Sequence, residues 1–267
     1  MTLPNHGLLT KSRFYLHGLN GYVLGSAGIL GFLAVWQFYS VTLGSGLDSI
    51  VSPVDALGAL PGLVGDGLLG QVMHTVTVTL IGWVIAICLG GSLGLVIGLS
   101  SIANRFMFAS VEVLRAIPSI AFIPVALMLF GFSQQMELVI AVYVSQWPIL
   151  IGLIGGVRSV NAGFIDVART FRLSRRATVL RVILPGAMSS FLVGMRLSLT
   201  LSVAMVVVAE MLGNPVGLGY GIVFAAQSVR PDRVFAYLIV IGLVGWALNF
   251  LFVTAVRKIA PEHSGGL

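Results

Sequence analysis

The chain has 267 residues, of which 57% are hydrophobic and only 9% charged, with a formal net charge of +6. A soluble domain carries about a quarter charged residues, and a body of this size has too little interior for so much apolar surface, so lipid must cover part of it. The basic balance does not point to nucleic acid: Lys11 and Lys258 are the only lysines, and most arginines lie between apolar stretches.

A membrane-spanning helix needs about 20 mostly apolar residues. Six such stretches follow along the chain, at 21–43, 72–99, 106–131, 136–156, 188–212 and 235–256. The first follows Lys11 and Arg13. It is too long for the apolar region of a signal peptide and lacks a small-residue cleavage site, so it is expected to remain as a helix. The second is uninterrupted, with no Asp, Glu, Lys or Arg between Asp66 and Arg105. It holds the single cysteine, Cys88, which reads as a small buried hydrophobe; no Cys/His spacing suggests a metal site. Gly90, Gly94 and Gly98 sit four apart there, which predicts close packing of another helix. His74, near its start, reads as an ordinary hydrogen-bonding residue.

The third stretch holds Arg115, Pro118 and Pro124. Each proline removes a backbone donor and disfavours helical geometry at the residue before it, Ile117 or Ile123. Two readings stand side by side: an irregular segment bordering a solute path, or a kink repaired by neighbouring helices. The fifth stretch holds Arg196 and Glu210. Charges at membrane depth face the bundle interior or an aqueous cavity. Arg196 is a candidate for meeting an anionic solute and Glu210 for ordering an outer gate; a structural ion pair or snorkelling explains either equally well.

Loop charges set the orientation. Lys11, Arg13, Arg105, Arg257, Lys258 and the six arginines between 158 and 181 fall on one side of a six-span chain. The other side has the acidic 48–66 stretch, Glu137, and only Arg230 and Arg233. The positive-inside rule puts both termini in the cytoplasm, with 1–20 and 257–267 as tails and 157–187 as the largest cytoplasmic feature.

That loop is patterned. Phe164, Val167, Ala168 and Phe171 recur on one helix face after Asn161. Ser174 is placed to cap a second short helix with the stripe Ala177, Leu180, Ile183 and Leu184, ended by Pro185-Gly186. The segment DVARTFRLSRRATVLRVILP resembles the cytoplasmic loop of binding-protein-dependent ABC importer permeases, whose pattern is Glu-Ala-Ala, three residues, Gly, nine residues, Ile, one residue, Leu-Pro. Asp166 stands at the Glu position, Val167 and Ala168 at the alanines, Val182 at Ile, and Leu184-Pro185 at Leu-Pro. Arg172 replaces the glycine, which removes the residue that most easily takes positive φ at the bend.

The resemblance extends over SPVDAL (52–57), HTVTVTLIGW (74–83), RAIPSIAFIPVALMLFGFS (115–133), GVRSVNAGF (156–164) and VVVAEMLGNPVGLGYGI (206–222), and is nearest the nitrate, sulfonate, taurine and bicarbonate branch. It implies an all-α, type I importer permease fold. A first helix and external loop (21–70) would precede a core of five transmembrane helices (71–256). Loop residues Phe164, Asp166, Val167, Ala168, Arg169, Phe171, Arg172, Val182, Leu184 and Pro185 would form a coupling element seated on an ATPase subunit. It further implies an assembly in a bacterial inner membrane of two permease copies, two ATPases holding ATP and Mg, and one extracytoplasmic binding protein. The solute would be a small anion such as sulfonate, nitrate or bicarbonate, although similar permeases import aromatic acids and thiamine precursors. The glycines Gly217, Gly219 and Gly221 would lie where that protein docks, though a re-entrant turn explains them too. The chain itself has no Gly-Lys-Ser/Thr phosphate loop, so ATP hydrolysis would belong to the partner and no cofactor to this chain. Two rival readings are a membrane-embedded enzyme, for which no nucleophile–base pair is in place, and a secondary transporter, for which only Glu210 could couple ions.

Overall fold

The computed structural model describes residues 7–42 and 50–262, with side chains from residue 25 onward. The side chains of Lys11 and Arg13, and residues 43–49 of the external loop, lie outside the described residues. Every described element is helical.

Helix α1 (Gly7–Thr42) starts inside the segment expected as a tail; no proline occurs between Pro4 and Pro53 to stop it. Its Trp36 indole N–H donates to the Val51 carbonyl, just before the next helix, and its ring meets Phe235 near the start of the last one. Helix α2 (Pro53–Gly65) was not foreseen as a helix. Its start is nevertheless written in Ser52-Pro53-Val54-Asp55: the Ser52 hydroxyl accepts from the Asp55 amide, the Asp55 carboxylate accepts from the Ser52 amide, and proline takes the first turn.

Helices α3 (Leu68–Leu99), α6 (Gln134–Ser159), α9 (Leu184–Gly213) and α11 (Pro231–Ile259) each suffice to cross a membrane. The expected third span is instead a bent pair. Helix α4 (Ser101–Ala116) and the segment Ser119–Phe130, a 3₁₀ turn followed by α5 (Ile123–Phe130), meet at 84°. Ile117, before Pro118, is extended as expected. Ile123 is not: it stays helical, because Pro124 falls in the first turn of α5, where the missing donor costs nothing. The described residues therefore contain four spans, or five if the bent pair counts as one.

Helix α6 packs between α3 and α9. A Cβ at Gly90 would lie 2.6 Å from the Gln146 carbonyl oxygen, and one at Gly94 would lie 2.9 Å from that of Leu150, so the glycine stripe on α3 lets the two backbones touch. Cys88 corrects an expectation: it is exposed, on the side of α3 turned away from α6. Large apolar side chains such as Val84, Val96, Leu243 and Leu251 are exposed likewise, which in a bilayer is their low-energy state.

The amphipathic loop forms α7 (Ala162–Thr170) and α8 (Arg175–Thr178); Ser174 caps α8 as expected, and the Asn161 side chain caps α7. It does not end at Pro185. A π turn over Val179–Ile183, with the Leu184 amide bonded five residues back to Val179, carries α8 straight into α9. The widened turn relieves the clash that proline imposes on the preceding turn. Arg175–Gly213 is thus one 39-residue helical run.

Candidate functional site: a buried hub, a cavity and an exposed loop face

Three features gather the polar residues of a chain that has few. The first is a buried hub at the end of the bundle opposite α7 and α8. Antiparallel alternation brings together the first turns of α3 and α6 and the last turn of α9. Glu137, expected in an exposed loop, is 0% exposed, and Glu210 is 1% exposed. His74 Nε2 lies 2.9 Å from one Glu137 oxygen, and Asn214 donates to the other at 2.5 Å. Thr75 donates to Glu210 Oε1 at 2.7 Å and accepts from the Leu218 amide at 3.1 Å; the Gly219 amide donates to Glu210 Oε2 at 2.8 Å.

Glu210 thereby caps α10 (Leu218–Gln227), where a carboxylate meets the positive end of the helix dipole. Gly217, at φ +101°, turns the chain into that helix, and a Cβ at Gly219 would lie 2.1 Å from the Val207 carbonyl oxygen. These glycines serve close packing against α9. His74, Glu137 and Glu210 are donor types able to hold a metal ion, with ligand atoms all within 4.8 Å of one another. All four carboxylate oxygens are already engaged by protein donors, so the hub is a closed network joining α3, α6, α9 and α10.

The second feature is a cavity of about 1010 Å³ between α4, α6 and α9. Its wall is mostly apolar, with Ser119, Ser189 and Ser190 as small polar groups and Glu112 and Arg115 as the charged ones. Of the residues nominated from sequence, Arg115 lines it and Pro118 makes the break at its edge. Pro124 does not reach its wall, and Glu210 sits in the hub. Arg196 faces away from it: its Nε donates to Asn249 Oδ1 on α11 at 2.9 Å.

The third feature is the outer face of α7. Phe164, Val167 and Phe171 are 65%, 54% and 76% exposed, whereas Ala168, expected on the same stripe, is 3% exposed and turned inward. Asp166 pairs with Arg169 one turn along. Phe164, Val167 and Phe171 line, together with Ala168 and Val182, an open hollow between α7 and the turn into α9, and Leu184 and Pro185 begin α9. Arg172 takes φ +52°, in the left-handed region that glycine adopts most easily. The Leu173 amide bonds to the Ala168 carbonyl at 3.0 Å and the Arg172 amide to that of Arg169 at 2.8 Å, so a complete Schellman turn forms without glycine.

A lipid-facing helical bundle with a solute-sized cavity and an amphipathic projection at one end is the build of a polytopic transport component. The sequence matches the family described as "Binding-protein-dependent transport system inner membrane component" over residues 86–263, and the chain belongs to that family. It is 31% identical to the bicarbonate transport system permease protein CmpB of Synechococcus elongatus, over 86% of this chain and 87% of that one. It is 29% identical to the nitrate import permease protein NrtB of Leptolyngbya laminosa, over 86% and 85% of the two chains. These relatives are permease proteins, not enzymes. In fold it resembles chains of two solved ABC transporters. One is the inward-facing MetNI methionine transporter (TM-score 0.58, 18% identity, 69% of this chain and 94% of that one). The other is an amino acid ABC transporter (TM-score 0.59, 20% identity, 76% and 97%). The architecture is that of a type I importer permease, a multi-pass protein of the inner membrane.

Proposed function

We propose that the chain pairs with a second copy to form the path of an ATP-driven importer for a small anion such as bicarbonate, nitrate or a sulfonate. A separate binding protein delivers the anion and two ATPase subunits supply the energy. Both termini and α7 face the cytoplasm. The names of the relatives support the solute class. Arg115 and the break at Pro118 border the path, with α5, which has Pro124 in its first turn, beside it. Glu210 orders the outer end through α10, and Arg196 acts through its contact with α11.

The observation that carries this reading is the outer face of α7. Phe164, Val167 and Phe171 stand free on a short, capped helix flanked by arginines, a shape that fits an apolar groove with a polar rim. Phe171→Asp buries an uncompensated charge in such a groove and is expected to abolish copurification of the ATPase and transport-linked ATP hydrolysis. Retention of both at wild-type levels overturns the docking role. Arg175→Ala, which removes one exposed charge, should change either by little, because exposed ion pairs contribute about 0–1 kcal/mol.

A further inference from the structure

Glu112 and Arg115 are the only charged residues among those lining the large cavity. Arg115 Nε and Nη2 both donate to Glu112 Oε2, at 3.0 and 2.5 Å. The pair lies on α4, one arm of the bent pair that together is long and apolar enough for a membrane span. Val111, beside it, packs on Ile97, Leu150 and Ile154, and the Tyr143 hydroxyl of α6 donates to the Leu114 carbonyl. Yet the two side chains remain 43% and 38% exposed. Charges within a span are not left facing lipid, so this face of α4 opens on water or protein.

We propose that Glu112 is a specificity-determining residue that acts as a tethered stand-in for the transported anion on Arg115. This rests on reading the cavity as an anion path. An unpaired guanidinium in an apolar-walled cavity would hold any anion tightly. Transit needs a site favourable enough to enter and weak enough to leave. Glu112, one helical turn away, supplies that balance by reclaiming Arg115 when the anion departs. Its contact uses a single carboxylate oxygen. A trigonal or tetrahedral oxyanion can offer two oxygens to the planar fork and so displace it. A neutral or cationic solute gains nothing from the exchange, which makes the pair a filter as well as a release device.

The test uses the nucleotide-free complex in nanodiscs, with nitrate as the probe anion and phenylglyoxal, a neutral arginine reagent, read at Arg115 by mass spectrometry. In the wild type, nitrate protects Arg115 only at high concentration. In Glu112→Gln the competitor is gone, and half-protection is expected at a nitrate concentration at least about tenfold lower. Glu112→Asp, which keeps the charge on a shorter arm, should fall between and guards against an unstable first variant. Equal half-protection in wild type and both variants overturns the role of Glu112 while leaving an anion-accessible cavity. If nitrate protects Arg115 in none of them, the path reading itself fails, and this proposal with it.

Discussion

Glu210, near the end of α9, accepts a hydrogen bond at 2.8 Å from the amide of Gly219, at the start of α10. One buried carboxylate thus ties a short helix back onto the long one that precedes it in sequence. The fit leaves no room for a side chain at Gly219, where a Cβ would lie 2.1 Å from the Val207 carbonyl oxygen. Gly219→Ala must displace backbone rather than a flexible side chain. A loss of about 2–3 kcal/mol is expected in thermal unfolding of the detergent-purified protein; an unchanged melting temperature would show that α10 is not held in this packing.

The His74–Glu137 pair allows a test of coupling within the hub. His74→Ala leaves the buried Glu137 carboxylate with Asn214 as its remaining donor. Leaving a buried polar group short of one hydrogen-bond partner costs about 1–3 kcal/mol, more if it is charged. His74→Ala combined with Glu137→Leu strands no charge at this position and should cost less than the sum of the single changes. Strict additivity in the double-mutant cycle would mean that the two residues do not interact.

Arg172 occupies a left-handed position in the Schellman turn after α7, a conformation that is strained for any residue with a Cβ. Arg172→Gly removes that strain and adds back some unfolded-state entropy. The balance should be a stabilisation of about 1 kcal/mol with ATPase copurification unchanged. Destabilisation would place a contact on the Arg172 side chain that the isolated chain does not make. Ala168→Trp acts differently from Phe171→Asp: Ala168 is buried within the chain, so it should disrupt the loop's own packing before any partner is met.

Orientation can be tested with single cysteines at Ser174 and Ser228, both exposed. Cys88 is exposed too and must first be replaced by serine. An impermeant thiol reagent applied to intact cells is expected to label position 228, and position 174 only after lysis. Labelling of position 174 in intact cells reverses the orientation.

Local chemistry made much of this legible along the chain. Apolar runs locate the long helices because lipid demands internally satisfied backbone over about 20 residues. Asn161 and Ser174 mark their helices because a cap acts within three residues, and Pro118 marks the break because its effect falls on its immediate neighbour. Where only the nearest residues decide, sequence suffices. It failed where a proline can be accommodated in more than one way, and where the deciding partner is distant. Pro124 loses its breaking force because the helix restarts around it, and Pro185 because a π turn widens ahead of it.

The hub was beyond reach for the second reason. Nothing near Glu137 in sequence distinguishes it from a loop carboxylate; His74 lies 63 residues before it and Asn214 lies 77 after. The sequence by itself determined a lipid-covered helical bundle, its loop projection and, through resemblance, its family. Tertiary structure alone decided that Ala168 faces inward while Phe171 stays free, that Arg196 turns to Asn249 while Arg115 faces the cavity, and that three glycines near 219 are packing contacts. Each of those outcomes depends on which helix surfaces meet in the folded chain, and burial and pairing across such contacts have no local signature.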